Sequence, residues 1–112
     1  MCYASGMKLS ELEPSFLTVI TPGKTRQHHD DLSKAQGIFF LCPACFHSNG
    51  GAVGTHGVVC WFRDRAVPDV EEPRPARWQV SGTDYQDLTL HPSIAITSGC
   101  KWHGWIEKGE IR

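Results

Sequence analysis

The chain has 112 residues, a formal charge of -1 and 40% hydrophobic residues, a size that favours one domain. Its 11 basic residues are scattered among 12 acidic ones and form no stripe that would neutralise phosphates, which disfavours nucleic acid as the main partner. No apolar run reaches the roughly 20 residues that cross a bilayer, and residues 1–6 lack the charged and apolar regions of a signal peptide. We therefore expect a soluble, cytoplasmic protein without a membrane partner.

Short apolar and β-branched runs, separated by turn residues, characterise the chain from residue 16 onward. They predict strands at 16–20, 38–41, 57–62, 77–81 and 88–97, and a hairpin at 104–111. Residues 30–36 offer an Asp to begin a helix and Gly37 to end it, which predicts one or two helical turns. Residues 48–54 predict a Gly-rich loop, and the proline-containing residues 66–76 predict a surface excursion. The expected fold is mainly β, with short antiparallel strands and at most one or two short helices.

Two cysteine motifs predict a metal site. Cys42 and Cys45 form a C-x2-C knuckle, whose thiolates bind one ion from a tight turn. Cys100 and His103 repeat this spacing about 55 residues later, again after a predicted strand. In a reducing compartment metal binding explains cysteines better than disulfides do. The sequence thus predicts zinc-knuckle loops and a single zinc-stabilised domain over residues 1–112, in which residues 1–15 are a candidate for a poorly ordered segment.

The fourth zinc ligand stays open at this point, with His103, His47, His56 and Cys60 all chemically competent. Spacing favours His103, whereas Cys60 lies in an apolar run and is better explained as a core residue. A redox dithiol is the main rival interpretation. That motif normally opens a helix in a βαβ unit, whereas here a Gly-rich loop is predicted to follow. Residues 28–31 are interpreted as a solvated polar segment.

A resemblance to a known family is carried by Leu41-Cys42 with its knuckle, Trp78, Pro92-Ser93-Ile94, Cys100, His103-Gly104-Trp105-Ile106 and Gly109. Over about residues 38–111 the chain resembles small cysteine-containing proteins of phages and bacteria. These are similar to BubE, the serine peptidases of bacterial ubiquitination-like (Bub) operons. The resemblance implies a dyad of Ser93 and His103 that acts on the C-termini of ubiquitin-like proteins. If the protein is phage-encoded, the resemblance implies that it is located in the host cytoplasm.

His103 cannot hold both predicted roles, because a ring nitrogen that binds zinc cannot also accept the proton of a serine. If His103 closes the zinc site, catalysis needs another histidine such as His56. If His103 is the base, His56, His47 or Cys60 must complete the zinc site. We predict the second arrangement, with Ser93 and His103 as catalytic residues and a structural zinc bound by Cys42, Cys45, Cys100 and His56.

Two other functions remain open from the sequence. One is a noncatalytic zinc-binding phage accessory or interaction module that engages a protein partner. The other, hydrolysis by a zinc-bound water, ranks third because the chain has no H-E-x2-H motif and thiolate-rich sites are usually closed. His91 is predicted to be exposed or to face substrate. Core positions are predicted for the four tryptophans, Trp61, Trp78, Trp102 and Trp105.

Overall fold

A computed structural model describes residues 7–96 and 101–112. Within these ranges the chain forms strands β1 Ser15–Thr21, β2 Thr25–His29, β3 Gly37–Leu41, β4 Gly57–Trp61, β5 Gln79–Ser81, β6 Thr89–Ala95, β7 His103–Glu107 and β8 Glu110–Ile111, and helix α1 Pro43–Asn49. Three short 3-10 helices cover Leu9–Leu12, Leu32–Lys34 and Tyr85–Asp87. The prediction of a mainly β fold with short antiparallel strands is confirmed. No helix in the described residues is long and apolar enough to cross a membrane.

The strands form two antiparallel sheets of four strands each. The first sheet has the order β2-β1-β3-β4 and the second the order β5-β6-β7-β8. A parallel bridge between Phe62 and Trp78 joins them. Its hydrogen bonds run from Trp78 N–H to the Trp61 carbonyl (2.9 Å) and from Arg63 N–H to the Trp78 carbonyl (2.7 Å). The end of β4 therefore fixes the start of β5, and with it the position of the second sheet.

One contiguous core lies between the two sheets. Phe16 of β1 stacks on Tyr85, with ring centroids 4.5 Å apart, and Phe40 of β3 meets Trp102 edge-on at 6.3 Å. These contacts connect the first sheet to the 3-10 helix before β6 and to the residue before β7, and residues of both sheets belong to a single cluster of buried side chains. In β7 only Gly104 and Ile106 are buried, as expected for a strand with one face on the core and one in solvent. Among the residues that the structure describes, nothing packs over the whole outer face of the second sheet, and that face is open to solvent.

The outer face of the first sheet is partly covered by the excursion of residues 66–76. Trp61 is fully buried there, and its indole Nε1–H donates a hydrogen bond to the carbonyl of Glu72 (2.8 Å). Glu71 is also buried, and its carboxylate accepts a short hydrogen bond from the Gly23 N–H. The predicted surface excursion thus carries side chains and carbonyls that seal this face of the sheet.

Two local predictions differ from the structure. Residues 28–31 were interpreted as a solvated polar segment, but His28 and His29 are the end of strand β2. The backbone of this strand pairs with β1 throughout, for example Leu17 with His28. The helix expected over residues 30–36 is reduced to Leu32–Lys34, where the Asp31 carboxylate caps the Ser33 N–H (3.0 Å). The hydrogen bond from the Ser33 hydroxyl holds the pKa of Asp31 below its usual value.

Burial assigns two amino-terminal residues to the core and corrects the expectation for one tryptophan. Leu9 and Leu12 are completely buried, so this part of the amino-terminal segment contributes to the core. Trp61, Trp78 and Trp102 are buried as predicted, but Trp105 remains 45% exposed. Alternation along β7 explains this, because residue 105 shares the solvent face with residues 103 and 107. An exposed tryptophan on an open sheet face is a candidate contact surface.

Candidate active site and metal-binding group

Ser93 lies in an irregular stretch of β6. Leu90 pairs with Ile106 and Ile94 pairs with Gly104, so four steps along β6 match two steps along β7. The additional residues form a bulge, a feature that redirects side chains and is common beside active sites. Ser93 is half-buried between the buried Ile94 and exposed neighbours. The bulge therefore sets the direction of its hydroxyl, which regular alternation alone would not fix.

The Ser93 hydroxyl meets the imidazole of His103 across the two strands. Ser93 Oγ lies 3.0 Å from His103 Nε2, at hydrogen-bonding distance. His103 begins β7, where Ala95 is its register partner, and its side chain points to the solvent face. The two residues predicted to form the dyad are thus brought together on an open surface. A neutral imidazole with an unprotonated Nε2 accepts the proton of the hydroxyl in this arrangement.

Two tryptophans support this pair from opposite sides. The Trp78 indole Nε1–H donates to the Ser93 carbonyl oxygen at 3.2 Å, so the backbone of the bulge is tied to the bridge between the sheets. The Trp105 ring lies beside the His103 imidazole, with centroids 5.3 Å apart and a tilt of 35°. The indole of Trp78 restrains the serine, and the ring of Trp105 restricts rotation of the histidine.

A shallow cavity of about 300 Å³ lies on the same face of the second sheet, lined by Thr89, Leu90, His91, Trp105, Glu107 and Arg112. His91 is exposed and pairs in register with Gln79. Its position in this cavity agrees with the expectation that it is exposed. The cavity continues the surface on which Ser93 and His103 meet.

Cys42, Cys45 and His56 lie close enough together to bind one metal ion. Their ligand atoms are all within 4.8 Å of one another. The backbone assembles the group, because Cys42 N–H donates to the His56 carbonyl (2.9 Å) at the point where β3 and β4 begin to diverge. Two thiolates and an imidazole are a donor set typical of zinc. The site residues therefore fit this ion by their chemistry and their proximity.

The knuckle forms the start of a helix, with Cys42 at the N-cap and Cys45 in the first turn of α1, so the Gly-rich loop predicted over residues 48–54 begins at Gly50 instead. Pro43 occupies the first position of α1, where its fixed φ suits a helix, and Gly50 ends the helix with φ 69°. A C-x2-C motif at a helix start resembles a redox dithiol. Here, however, β3 and β4 on either side are antiparallel, and His56 joins the two thiols. These observations favour metal binding.

The other predicted ligands have different positions. Cys100 lies outside the described residues. Cys60 is completely buried in β4, and burial raises the pKa of its thiol, in agreement with the predicted core role. His47 is exposed on α1 and is not a member of the metal-binding group, and His103 is paired with Ser93 instead.

The sequence reasoning missed a second serine–histidine pair. Ser15 Oγ lies 2.6 Å from His28 Nδ1 across β1 and β2. Because β2 was not recognised as a strand, its histidines were not expected to face β1. It also missed the contacts of Trp78 and Trp105 with the dyad. The only available signal was their presence among the residues that carry the family resemblance.

Comparison with known proteins identifies the family. A family model described as bacterial ubiquitination-like system serine protease (BubE) matches residues 13–112. No curated protein and no solved structure matches the chain. The family match spans both the Ser93–His103 pair and the metal-binding group, and it confirms the resemblance predicted from the sequence. The chain belongs to the BubE family of bacterial ubiquitination-like system serine proteases.

Proposed function

We propose that the protein is a serine peptidase with Ser93 as nucleophile and His103 as general base. The observation that carries the proposal is the 3.0 Å separation of Ser93 Oγ and His103 Nε2. A serine hydroxyl is a weak nucleophile until a neighbouring base accepts its proton. The open sheet face admits a macromolecular substrate to this pair. The description of the family as serine proteases supports the same chemistry.

The reaction uses the two side chains in sequence. His103 Nε2 accepts the proton of Ser93 as Oγ attacks the substrate carbonyl carbon, and backbone N–H groups stabilise the oxyanion. His103 then donates this proton to the leaving amine, which departs and leaves an acyl-enzyme. Water, deprotonated by His103, attacks the carbonyl of the acyl-enzyme, and the bond to Ser93 Oγ breaks as His103 returns the proton to Oγ and the acid leaves. In the described part of the chain no carboxylate contacts His103, so the arrangement is a dyad oriented by Trp105 packing.

The substrate we propose is the C-terminal region of a ubiquitin-like protein. The family description places these proteases in a ubiquitination-like system, which favours a protein substrate over a small ester. An open sheet face suits an extended chain better than a deep pocket would, because a flat surface accommodates a peptide of several residues.

A structural zinc is the second part of the proposal. Cys42, Cys45 and His56 would hold it, and we propose Cys100 as the fourth ligand. Phe40 precedes Cys42 by two residues, and it packs edge-on against Trp102, which follows Cys100 by two. Two residues span at most about 7 Å, so this contact supports a shared ion. With four protein ligands the zinc is structural and stabilises the fold.

The proposal is tested by labelling with a small fluorophosphonate, which reacts with activated serines. We expect one adduct per chain, located at Ser93 by peptide mass spectrometry, and no adduct in Ser93→Ala. The matched control is Ser15→Ala, which removes the other histidine-paired hydroxyl and should label at the unaltered rate. Absence of any adduct at Ser93 in the folded, metal-loaded protein would reject the peptidase and leave a noncatalytic interaction module.

A further inference from the structure

The cavity beside the dyad has the features of a subsite for one substrate side chain. His91 precedes Ser93 by two residues, and Trp105 follows His103 by two. Both line the cavity of about 300 Å³. Alternation puts Trp105 on the same face of β7 as His103, so a substrate lying across Ser93 and His103 reaches this cavity directly.

The charges that line the cavity are already paired with each other. Arg112 Nε lies 3.1 Å from Glu107 Oε1, and Arg112 Nη2 lies 3.1 Å from Glu110 Oε1. These pairs are more than two-fifths exposed and contribute little to stability. They nevertheless leave no unpaired charge on the wall to attract an ionic group. A charged substrate side chain would have to compete with the existing partners.

The apolar part of the wall is the ring of Trp105, which is 45% exposed. A tryptophan has a large apolar surface, and covering it removes that surface from water. Leu90 also borders the cavity, but its side chain is buried in the core, so Trp105 supplies the exposed apolar surface. A cavity whose charged side chains are already paired, beside an exposed indole, therefore matches an aliphatic or aromatic side chain.

We propose that this cavity binds an apolar side chain of the peptide substrate near the scissile bond, with Trp105 as the specificity-determining residue. The inference rests on the proposed peptidase function, because it treats Ser93 and His103 as the reacting pair. One extra or missing methylene in a hydrophobic pocket changes specificity by about 10- to 200-fold. The protein should therefore discriminate between otherwise equal reagents that differ in apolar character.

Two fluorophosphonates test the proposal, one with an alkyl chain next to phosphorus and one with a polyethylene glycol chain of equal length. The readout is the ratio of their second-order rates of labelling at Ser93. We expect the alkyl reagent to react about tenfold faster, the ratio to fall to about one in Trp105→Ala, and Trp105→Phe to retain most of it. If Trp105→Ala acted only by disturbing His103, it would slow both reagents equally and leave the ratio of their rates unchanged.

Ile20→Ala is the control, since Ile20 is an apolar side chain of the first sheet that is 63% exposed. It should leave the ratio intact. Labelling at Ser93 without an alkyl preference, or a preference that survives in Trp105→Ala, would overturn the subsite and leave the peptidase proposal standing. Failure of both reagents to label Ser93 would instead remove the peptidase proposal and the subsite together.

Discussion

The outer faces of the two sheets each carry a serine hydrogen-bonded to a histidine. In the first sheet Ser15 Oγ is 2.6 Å from His28 Nδ1, and in the second sheet Ser93 Oγ is 3.0 Å from His103 Nε2. In both pairs the serine is half-buried and the histidine exposed. Distance and exposure therefore do not distinguish a candidate active site from a surface hydrogen bond.

The surroundings of the two pairs do distinguish them. Ser93 lies in a bulge whose carbonyl is held by Trp78, and a cavity opens beside His103. Ser15 begins β1, whose pairing irregularity lies at residues 19–21 and not beside the serine, and the ring of its partner His28 packs edge-on against Phe39 at 5.5 Å. The nitrogen also differs, since Nε2 is the atom that accepts the proton in serine hydrolases of known mechanism. We therefore expect catalysis only at Ser93, where the backbone is held by a hydrogen bond and an adjacent cavity can accept part of a substrate.

The largest expected effect comes from removing each histidine in turn. His103→Ala should slow fluorophosphonate labelling of Ser93 by about 10²- to 10⁴-fold, the usual contribution of a general base. His28→Ala removes the equivalent partner of Ser15 and should change the rate by less than about twofold. Labelling kinetics followed by intact-protein mass spectrometry measure both. Equal rates in the two variants would remove the distinction between the pairs.

Loss of the metal should also lower the reactivity of the Ser93–His103 pair. Cys42→Ala is expected to lose zinc, to unfold at a lower temperature and to label at Ser93 at least about tenfold more slowly, because bound metal contributes folding free energy. Cys60→Ala is the matched control, since both cysteines are completely buried and Cys60 lies outside the metal-binding group. It should keep one zinc per chain. Full zinc content in Cys42→Ala would contradict the proposed ligand set.

The smallest expected effect tests whether the bulge orients Ser93. Trp78→Phe deletes the indole donor to the Ser93 carbonyl and should reduce the labelling rate about threefold to tenfold, equivalent to roughly 1 kcal/mol for one hydrogen bond. Trp61→Phe deletes a similar bond, from its indole to the Glu72 carbonyl. Both variants should lose comparable stability in urea unfolding, but only the first should label more slowly. A matching loss of rate in Trp61→Phe would show that general destabilisation, and not orientation, controls reactivity.

The predictability of the fold depended on where apolar residues cluster. The strands at residues 16–20, 38–41 and 57–62 were identified because their apolar runs are long enough to indicate burial. Strand β2 was not, because its pairing rests on backbone hydrogen bonds that polar side chains do not reveal. Helix α1 was missed because its seven residues are too few to show a helical period.

The sequence by itself indicated the β character of the fold and the metal-binding motif of Cys42 and Cys45. Through the family resemblance it also indicated Ser93 and His103 as the dyad. These conclusions need only local spacing or residue identity. Only the tertiary structure decided between the alternatives that the sequence left open, since it brings His56 to the two cysteines and His103 to Ser93, and it leaves Trp105 exposed. Each depends on strand register or on a bulge, and register is fixed by the packing of whole sheets and not by neighbouring residues.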